Sequence, residues 1–260
     1  MVKEDIAEIT KEAWVNNWKE HSVKEVLQIF EYTRVQRLLS IMKLTLPKDG
    51  SIIEGGCGLG PWVIKLRELG YDMVGIDYDA ISINKLGVYD KKIPLAVSDI
   101  ENIPFKNSHF VAYISLGVLE HFHEGPEKAI SEAQRILKPG GLFFVVVPNM
   151  SILLRLKLPI QKVKQIKILR KIFRKKQKIF YYERYFKINE IKHLLEKSNF
   201  DVMRIFPFDH IFSFVSFSSV FRKKGTYDGE NNLAIKFADF FSKILPWQTA
   251  GSIILIAKKT

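Results

Sequence analysis

The sequence predicts an α/β chain: a mostly parallel sheet of seven strands with helices on both faces. Three observations predict it. Apolar runs of strand length recur at Ile52–Ile53, Met73–Ile76, Leu95–Val97, Phe110–Leu116, Leu142–Val147, Val202–Phe206 and Ser252–Ala257. Stretches with apolar residues at helical spacing alternate with most of them, which is the order of βα units rather than of hairpins. Glycine, proline and aspartate punctuate the joins. At 260 residues the chain is long enough for one large core with insertions.

Residues 3 to 43 read as two helices. Ile6, Ile9, Trp14 and Trp18 lie on a loosely helical spacing, and Val23, Val26, Leu27, Phe30, Val35 and Leu38 continue it after Ser22 offers a cap. The stretch from Ser51 to Gly60, SIIEGGCGLG, then places an apolar strand, an acid (Glu54) and three glycines (Gly56, Gly58, Gly60) in close succession. Pro61 opens the next helix, because its fixed φ and missing N–H suit the first helical position. Val63, Leu66 and Leu69 share one face of that helix until Gly70 stops it.

The second strand ends at Asp77, 23 residues beyond Glu54, and Ser98-Asp99-Ile100 follow the third. After the fourth strand, Pro126 opens a helix whose apolar face is Ala129, Ile130, Ala133, Ile136 and Leu137. Lys138-Pro139-Gly140-Gly141 stops it before a fifth, wholly apolar strand of the kind buried on both faces. A helix carrying Ile191, Leu194 and Leu195 ends at Asn199, a residue that tolerates the left-handed conformation closing a helix.

A strand, a glycine turn and a helix N-terminus form a cradle for a nucleotide-like ligand, since glycines let backbone approach closely and expose N–H groups. A dinucleotide fits poorly. Read from Gly56, the last glycine of G-x-G-x-x-G falls on Pro61, and Glu54 would repel a pyrophosphate. An acid at this point favours a cationic ligand. S-adenosylmethionine carries an ammonium and a sulfonium and no phosphate.

The segment resembles motif I of class I S-adenosylmethionine-dependent methyltransferases, [DE]-x-G-x-G-x-G, matched by Glu54, Gly56, Gly58 and Gly60. Further marks follow in order: Glu101-Asn102-Ile103-Pro104-Phe105, Leu137-Lys138-Pro139-Gly140-Gly141, and a run from Ser115 to Phe122 similar to the E-H segment of the ubiquinone-biosynthesis-like group. The resemblance implies a Rossmann-like sheet with an antiparallel last strand. It also implies S-adenosylmethionine as cofactor, with S-adenosylhomocysteine as product. It would place Glu54, Gly55, Gly56, Gly58, Gly60, Ser115 and Leu116 along the cofactor, Asp77 on the ribose hydroxyls and Tyr78 against the adenine. Asp99 and the Ile100 backbone would meet the adenine edge. Leading helices often cover the cofactor in this family, so Trp14 or Trp18 would close over it or pack in the core. His121 is the leading candidate for a general base, ahead of His123 and His210, and Tyr182 and Glu183 are candidate acceptor contacts. Residues 185 to 200 resemble the family's returning segment, with Lys187 where a capping Ser or Thr is usual and Asn199 in place of glycine.

Charge and aromatics mark two insertions. Residues 151–178 hold eleven Lys or Arg and no Asp or Glu; removing them from the net charge of +12 leaves about +1 for the other 232 residues. Val163, Ile166, Leu169, Ile172 and Phe173 lie at helical spacing beneath these cations, after a break at Pro159. Such a helix suits anionic lipid, RNA or a solvated lid. Between Phe206 and Phe241 lie nine of the nineteen phenylalanines, readable as an aromatic cap over the site or as a small satellite core.

The organisation expected is a helical cap (1–43), a cofactor-binding core (44–150), a basic lid (151–180), the core continued (181–208), an aromatic insertion (209–250) and a last strand (251–260). The single cysteine, Cys57, sits in the glycine turn, which rules out an intrachain disulfide and disfavours a cysteine-based metal site. With no leader-like segment and no long apolar run, a cytoplasmic placement is expected, with peripheral contact on an anionic inner membrane face through 151–178. The function expected is methyl transfer to oxygen of a small or lipid-linked acceptor. Ribose methylation of RNA is the second reading and a non-catalytic cofactor-binding module the third. Base methylation fits less well: Ser115-Leu116-Gly117-Val118 stands where adenine-amino enzymes carry [DNS]-P-P-[FYW], and carbon-5 chemistry needs a cysteine nucleophile.

Overall fold

A computed structural model describes residues 3–156, 182–226 and 229–260. One seven-stranded sheet organises the chain, in the order β3-β2-β1-β4-β5-β7-β6. Its strands are β1 (Ser51–Gly55), β2 (Asp72–Asp77), β3 (Leu95–Val97), β4 (Phe110–Leu116), β5 (Leu137–Pro148), β6 (Phe200–Phe208) and β7 (Ser252–Lys259). Strands β1 to β5 pair in parallel, whereas β7 runs antiparallel to both β5 and β6. This is the Rossmann-like arrangement with its reversed last strand.

Alternation along the strands explains the two covered faces. Ile52, Met73, Ala112, Ile114 and Phe144 point to one side, where they meet α2 (Val23–Leu27), α3 (Thr33–Thr45), α4 (Pro61–Glu68) and α5 (Ala80–Tyr89). Ile53, Val74, Ile76, Tyr113, Phe143 and Val145 point to the other, against α6 (Glu127–Ile136) and α7 (Ile188–Lys197). The polarity flips at each residue, so both faces can be apolar without any strand being polar.

Several local expectations hold for the stated physical reasons. Ser22 caps α2 in a full capping box with Glu25, Pro61 stands at the start of α4, and Asn199 takes φ 58° after α7. At the head of α7, the Lys187 side chain cannot accept a capping hydrogen bond, and the Glu190 carboxylate instead accepts from the Lys187 N–H. Two boundaries differ. The second leading helix is not continuous: α2 passes into a 3-10 turn (Gln28–Glu31), Tyr32 is extended, and α3 starts afresh at Thr33. The cause is tertiary, because Phe30 turns in edge-on to Trp62 with ring centroids 5.0 Å apart. Strand β5 also begins earlier than its apolar run, with Leu137 already paired to Phe110 ahead of an irregularity in register.

The aromatic insertion folds as helices: α8 (His210–Phe217), α9 (Asn232–Ile244) and α10 (Pro246–Thr249). Phe214 and Phe241 join Ile211, Val215, Ala234 and Ala238 in a satellite core of their own. Most of the basic segment, 157–181, lies outside the described residues; only a helical turn at 152–156 precedes it. Among the described residues no helix is long and apolar enough to cross a membrane.

Candidate active site

The glycine turn hangs between the tips of β1 and β2. Gly56 and Cys57 donate to the Ile76 carbonyl at 2.8 and 3.0 Å, and the Gly58 N–H donates to Asp77 Oδ2 at 2.8 Å. Gly56 and Gly58 both take left-handed backbone, at φ 74° and 53°. A Cβ on Gly56 would come within 2.6 Å of Val118, and one on Gly58 within 2.9 Å of the Trp18 ring. The turn is therefore glycine because backbone conformation and close neighbours both require it. Gly60, also left-handed, caps α4, and Gly55 leaves room for the Tyr113 hydroxyl.

Glu54 and Asp77 converge beneath this turn, and both are buried. Glu54 Oε2 has no hydrogen-bond partner. Burial, with the neighbouring Asp77 charge behind it, pushes the Glu54 carboxyl up to about 8, against a smaller pull from the Val63 N–H. Asp77 is raised as well, chiefly by burial, while the N–H groups of Asp79 and Gly58 hold it back. Its two oxygens both accept from backbone, Oδ1 from Asp79 and Oδ2 from Gly58, so Asp77 fixes the turn through one lone pair on each oxygen and offers its others to a ligand. These carboxyls form a buried acidic pair, and neither is in an ion pair among the described residues.

Helix α1 (Lys3–Lys19) lies across the same ground. Trp18 packs on Gly58, Trp14 stacks on Trp18 at 5.7 Å, and Trp14 meets the His121 ring edge-on at 5.1 Å. Lys11 Nζ stands 3.1 Å from Asp99 Oδ2 and over the ring of Tyr78, whose hydroxyl donates to the Lys11 carbonyl. Lys85 ties down the end of the helix through the carbonyls of Trp18, Lys19 and His21, each at 2.9 Å. Of the two readings for the tryptophans, Trp18 serves both: it packs on the glycine turn and thereby covers it. Ile100 is buried beside Asp99, and Ser115 and Leu116 end β4, with the Ser115 Oγ buried and unpartnered.

The loop after β4 supplies the far wall. His121 Nδ1 lies 2.8 Å from the Tyr182 carbonyl, and the Tyr182 N–H in turn donates to Thr10 Oγ1, so α1, this loop and the returning chain meet at one point. Burial lowers the His121 pKa, opposed by the Tyr182 and Gly117 backbones, which favours the neutral ring. His123 lies edge-on to Tyr182 at 4.9 Å, close by, whereas His210 belongs to the aromatic insertion, where its Nδ1 is 3.0 Å from Thr249 Oγ1. Glu120, quoted within the E-H segment but given no role from sequence, is buried with an unpartnered Oε2. Desolvation raises its carboxyl to about 8, reinforced by Glu183. Its only sequence signal is an acid flanked by apolar residues in a short loop.

A family model described as a methyltransferase domain matches residues 27–205. The chain belongs to that family. This places it within class I of the S-adenosylmethionine-dependent methyltransferases and does not single out the ubiquinone-biosynthesis-like group. A solved S-adenosylmethionine-dependent methyltransferase of Thermotoga maritima has the same fold, with a TM-score of 0.60 at 17% identity over 96% of this chain and 99% of that one. A Mycolicibacterium smegmatis protein named "Probable S-adenosylmethionine-dependent methyltransferase" is 24% identical over 38% of this chain and 38% of its own length. The tRNA (carboxymethyluridine(34)-5-O)-methyltransferase of Arabidopsis thaliana is 30% identical over 40% of this chain and 25% of its own. The chain thus spans well under half the length of these two relatives.

The cofactor of this methyltransferase family is S-adenosylmethionine, and the cradle fits it. An unpartnered, buried Glu54 oxygen beside Asp77 calls for positive charge, and the glycine turn admits backbone contact while the acids exclude phosphate.

Proposed function

We propose that this methyltransferase moves a methyl group to an oxygen of an apolar or lipid-linked acceptor. The observation carrying this reading is a wholly apolar cavity of about 190 Å³ walled by Ile152, Leu153, Phe214, Phe241 and Leu245 and edged by Gln248 and Thr249. Its walls come from the helical turn after β5 and from the aromatic insertion, and Thr249 precedes Ser252, which pairs with Pro148 at the end of β5. Ligands of open α/β sheets bind beyond such strand ends.

When bound, the cofactor supplies a methyl group on a positively charged sulfur. The chain's own work is to orient and to exclude water. In our reading Glu54 receives the ammonium end, Asp77 the ribose hydroxyls, and Tyr78, Asp99 and Ile100 the adenine, with Gly55, Gly56, Gly58, Gly60, Ser115 and Leu116 lining the contact. Helix α1 seals the site from solvent through Trp14 and Trp18. Much of the acceleration comes from this alignment. His121 accepts the acceptor's hydroxyl proton. In its neutral ring the Nδ1 proton goes to the Tyr182 carbonyl, so the proton taken up lands on Nε2.

The test is labelled methyl transfer into a cell extract, followed by separation into lipid, small-molecule and RNA fractions. Label in lipid or apolar small molecules, with kcat lowered ~100-fold or more in His121→Gln and cofactor affinity unchanged, supports the reading. Label confined to RNA rejects it in favour of ribose methylation. That second reading is favoured by the eleven cations of 151–178 and the likeness to a tRNA methyltransferase, and it predicts a steep loss of binding with salt.

A further inference from the structure

Helix α9 is built the wrong way round for a helix that serves only the fold. It turns its small residues inward, with Ala234 and Ala238 fully buried. Ile235 and Phe241 pack against the satellite core, but four other large apolar residues face out: Leu233 is 40% exposed, Phe237 40%, Phe240 60% and Ile244 54%. These four recur at the spacing of one helix face, and Phe217 and Val220 extend the surface from the neighbouring turn, 42% and 64% exposed. Contiguous apolar surface of this kind marks a binding face.

The charges around it indicate what binds. The acids described in this insertion are taken up in ion pairs: Asp209 and Glu230 pair with Arg34, and Asp239 pairs with Arg37 at 2.7 Å. Lys223, Lys224, Lys236 and Lys243 are all exposed, and Lys236 and Lys243 lie on α9 itself. Aromatic and aliphatic residues on one face with lysines at its border are what a helix lying in an anionic lipid interface requires, since the long lysine stems can bury while their ammonium groups reach the headgroups. A second copy of the chain is a poorer occupant, because a twofold contact through this face would set the same lysines against each other.

We infer that α9, with Phe217 and Val220, is a membrane-docking surface that seats this methyltransferase on anionic bilayers. The surface adjoins the cavity through Phe241, which packs edge-on to Phe240 at 5.2 Å and also lines the cavity wall. The inference rests on the exposed face and its charges and stands whether or not the acceptor is a lipid.

The test is flotation of the whole chain with vesicles of phosphatidylcholine alone or with about one third phosphatidylglycerol. Binding is expected to the anionic vesicles and to fall at least tenfold in Phe237→Asp/Phe240→Asp, whose S-adenosylmethionine affinity stays at the parent value because neither residue touches the cofactor cradle. Lys236→Ala with Lys243→Ala is expected to cut binding about 25-fold, at roughly fivefold per lysine near a charged surface. In Phe240→Trp/Trp247→Phe, the introduced indole is expected to shift to the blue on anionic vesicles and to be quenched by brominated acyl chains. Undiminished flotation of Phe237→Asp/Phe240→Asp, or an indole that stays unquenched in the Phe240→Trp variant, overturns the inference, as does concentration-dependent dimerisation abolished by Phe240→Asp.

Discussion

Glu54 and Glu120 are ionisable groups kept largely neutral by burial, each with a carboxyl raised to about 8. For an acid whose pKa is higher folded than unfolded, the folded state binds the extra proton between the two values, so stability falls as pH rises through that window. The ligand-free protein is therefore expected to lose stability as the pH rises from about 4.5 to about 8. Glu120→Gln should flatten the slope of unfolding free energy against pH, and an unchanged slope would show that Glu120 ionises freely. Asp77 belongs to the same scale. Asp77→Asn replaces a charged acceptor at the Gly58 N–H with a neutral one, which is expected to cost about 1 to 2 kcal/mol of stability and to weaken S-adenosylmethionine binding ~100-fold or more by calorimetry. That Glu54 and Asp77 meet at neighbouring strand tips could be read from sequence because their spacing carries chemistry: an acid at a strand end beside glycines is rare without a reason. Glu120 could not, since burial depends on which parts of the chain close over its loop, and nothing within six residues of it records that Glu183 and Tyr182 return there.

At the scale of elements, α1 is the piece that lies over the glycine turn. It holds Lys11 on Asp99, Trp18 on Gly58 and Trp14 against His121, so in the proposed reading a cofactor enters by moving it. Trp18→Ala is expected to raise the dissociation rate of S-adenosylmethionine at least tenfold in stopped-flow displacement, with a smaller effect in Lys11→Ala, because an exposed ion pair contributes at most about 1 kcal/mol. Equal rates in Trp18→Ala and the parent would mean that the helix does not seal the site. The strands and most helices were legible because periodicity and terminal residues agree, as at Pro61 and Ser22. The break at Gln28–Glu31 was not. No glycine or proline marks it, the apolar spacing runs straight through, and it exists because Phe30 finds Trp62, a contact between elements that a local pattern does not carry. Helix α9 shows the same limit, since the count of phenylalanines in this insertion leaves both a cap and a satellite core open, and only packing decides that Phe241 goes in and Phe240 goes out.

For the whole molecule, the sheet order sets β2 and β3 on one side of β1 and β4 and β5 on the other. In the proposed reading the cofactor lies under α1 and the acceptor beside the aromatic insertion. The fold follows from alternation along the strands and from parallel pairing, both visible in the chain, whereas the packing of the aromatic insertion is not. The central claim is that a buried, mostly protonated Glu54 ionises to hold the cofactor's positive charge. Calorimetry of S-adenosylmethionine binding at pH 7 in buffers of different ionisation enthalpy tests it most directly. The account predicts release of close to one proton per site, because a carboxyl near 8 is about nine-tenths protonated at that pH, and loss of that release together with most of the affinity in Glu54→Gln. Binding with no proton release, or with full affinity in Glu54→Gln, would contradict it.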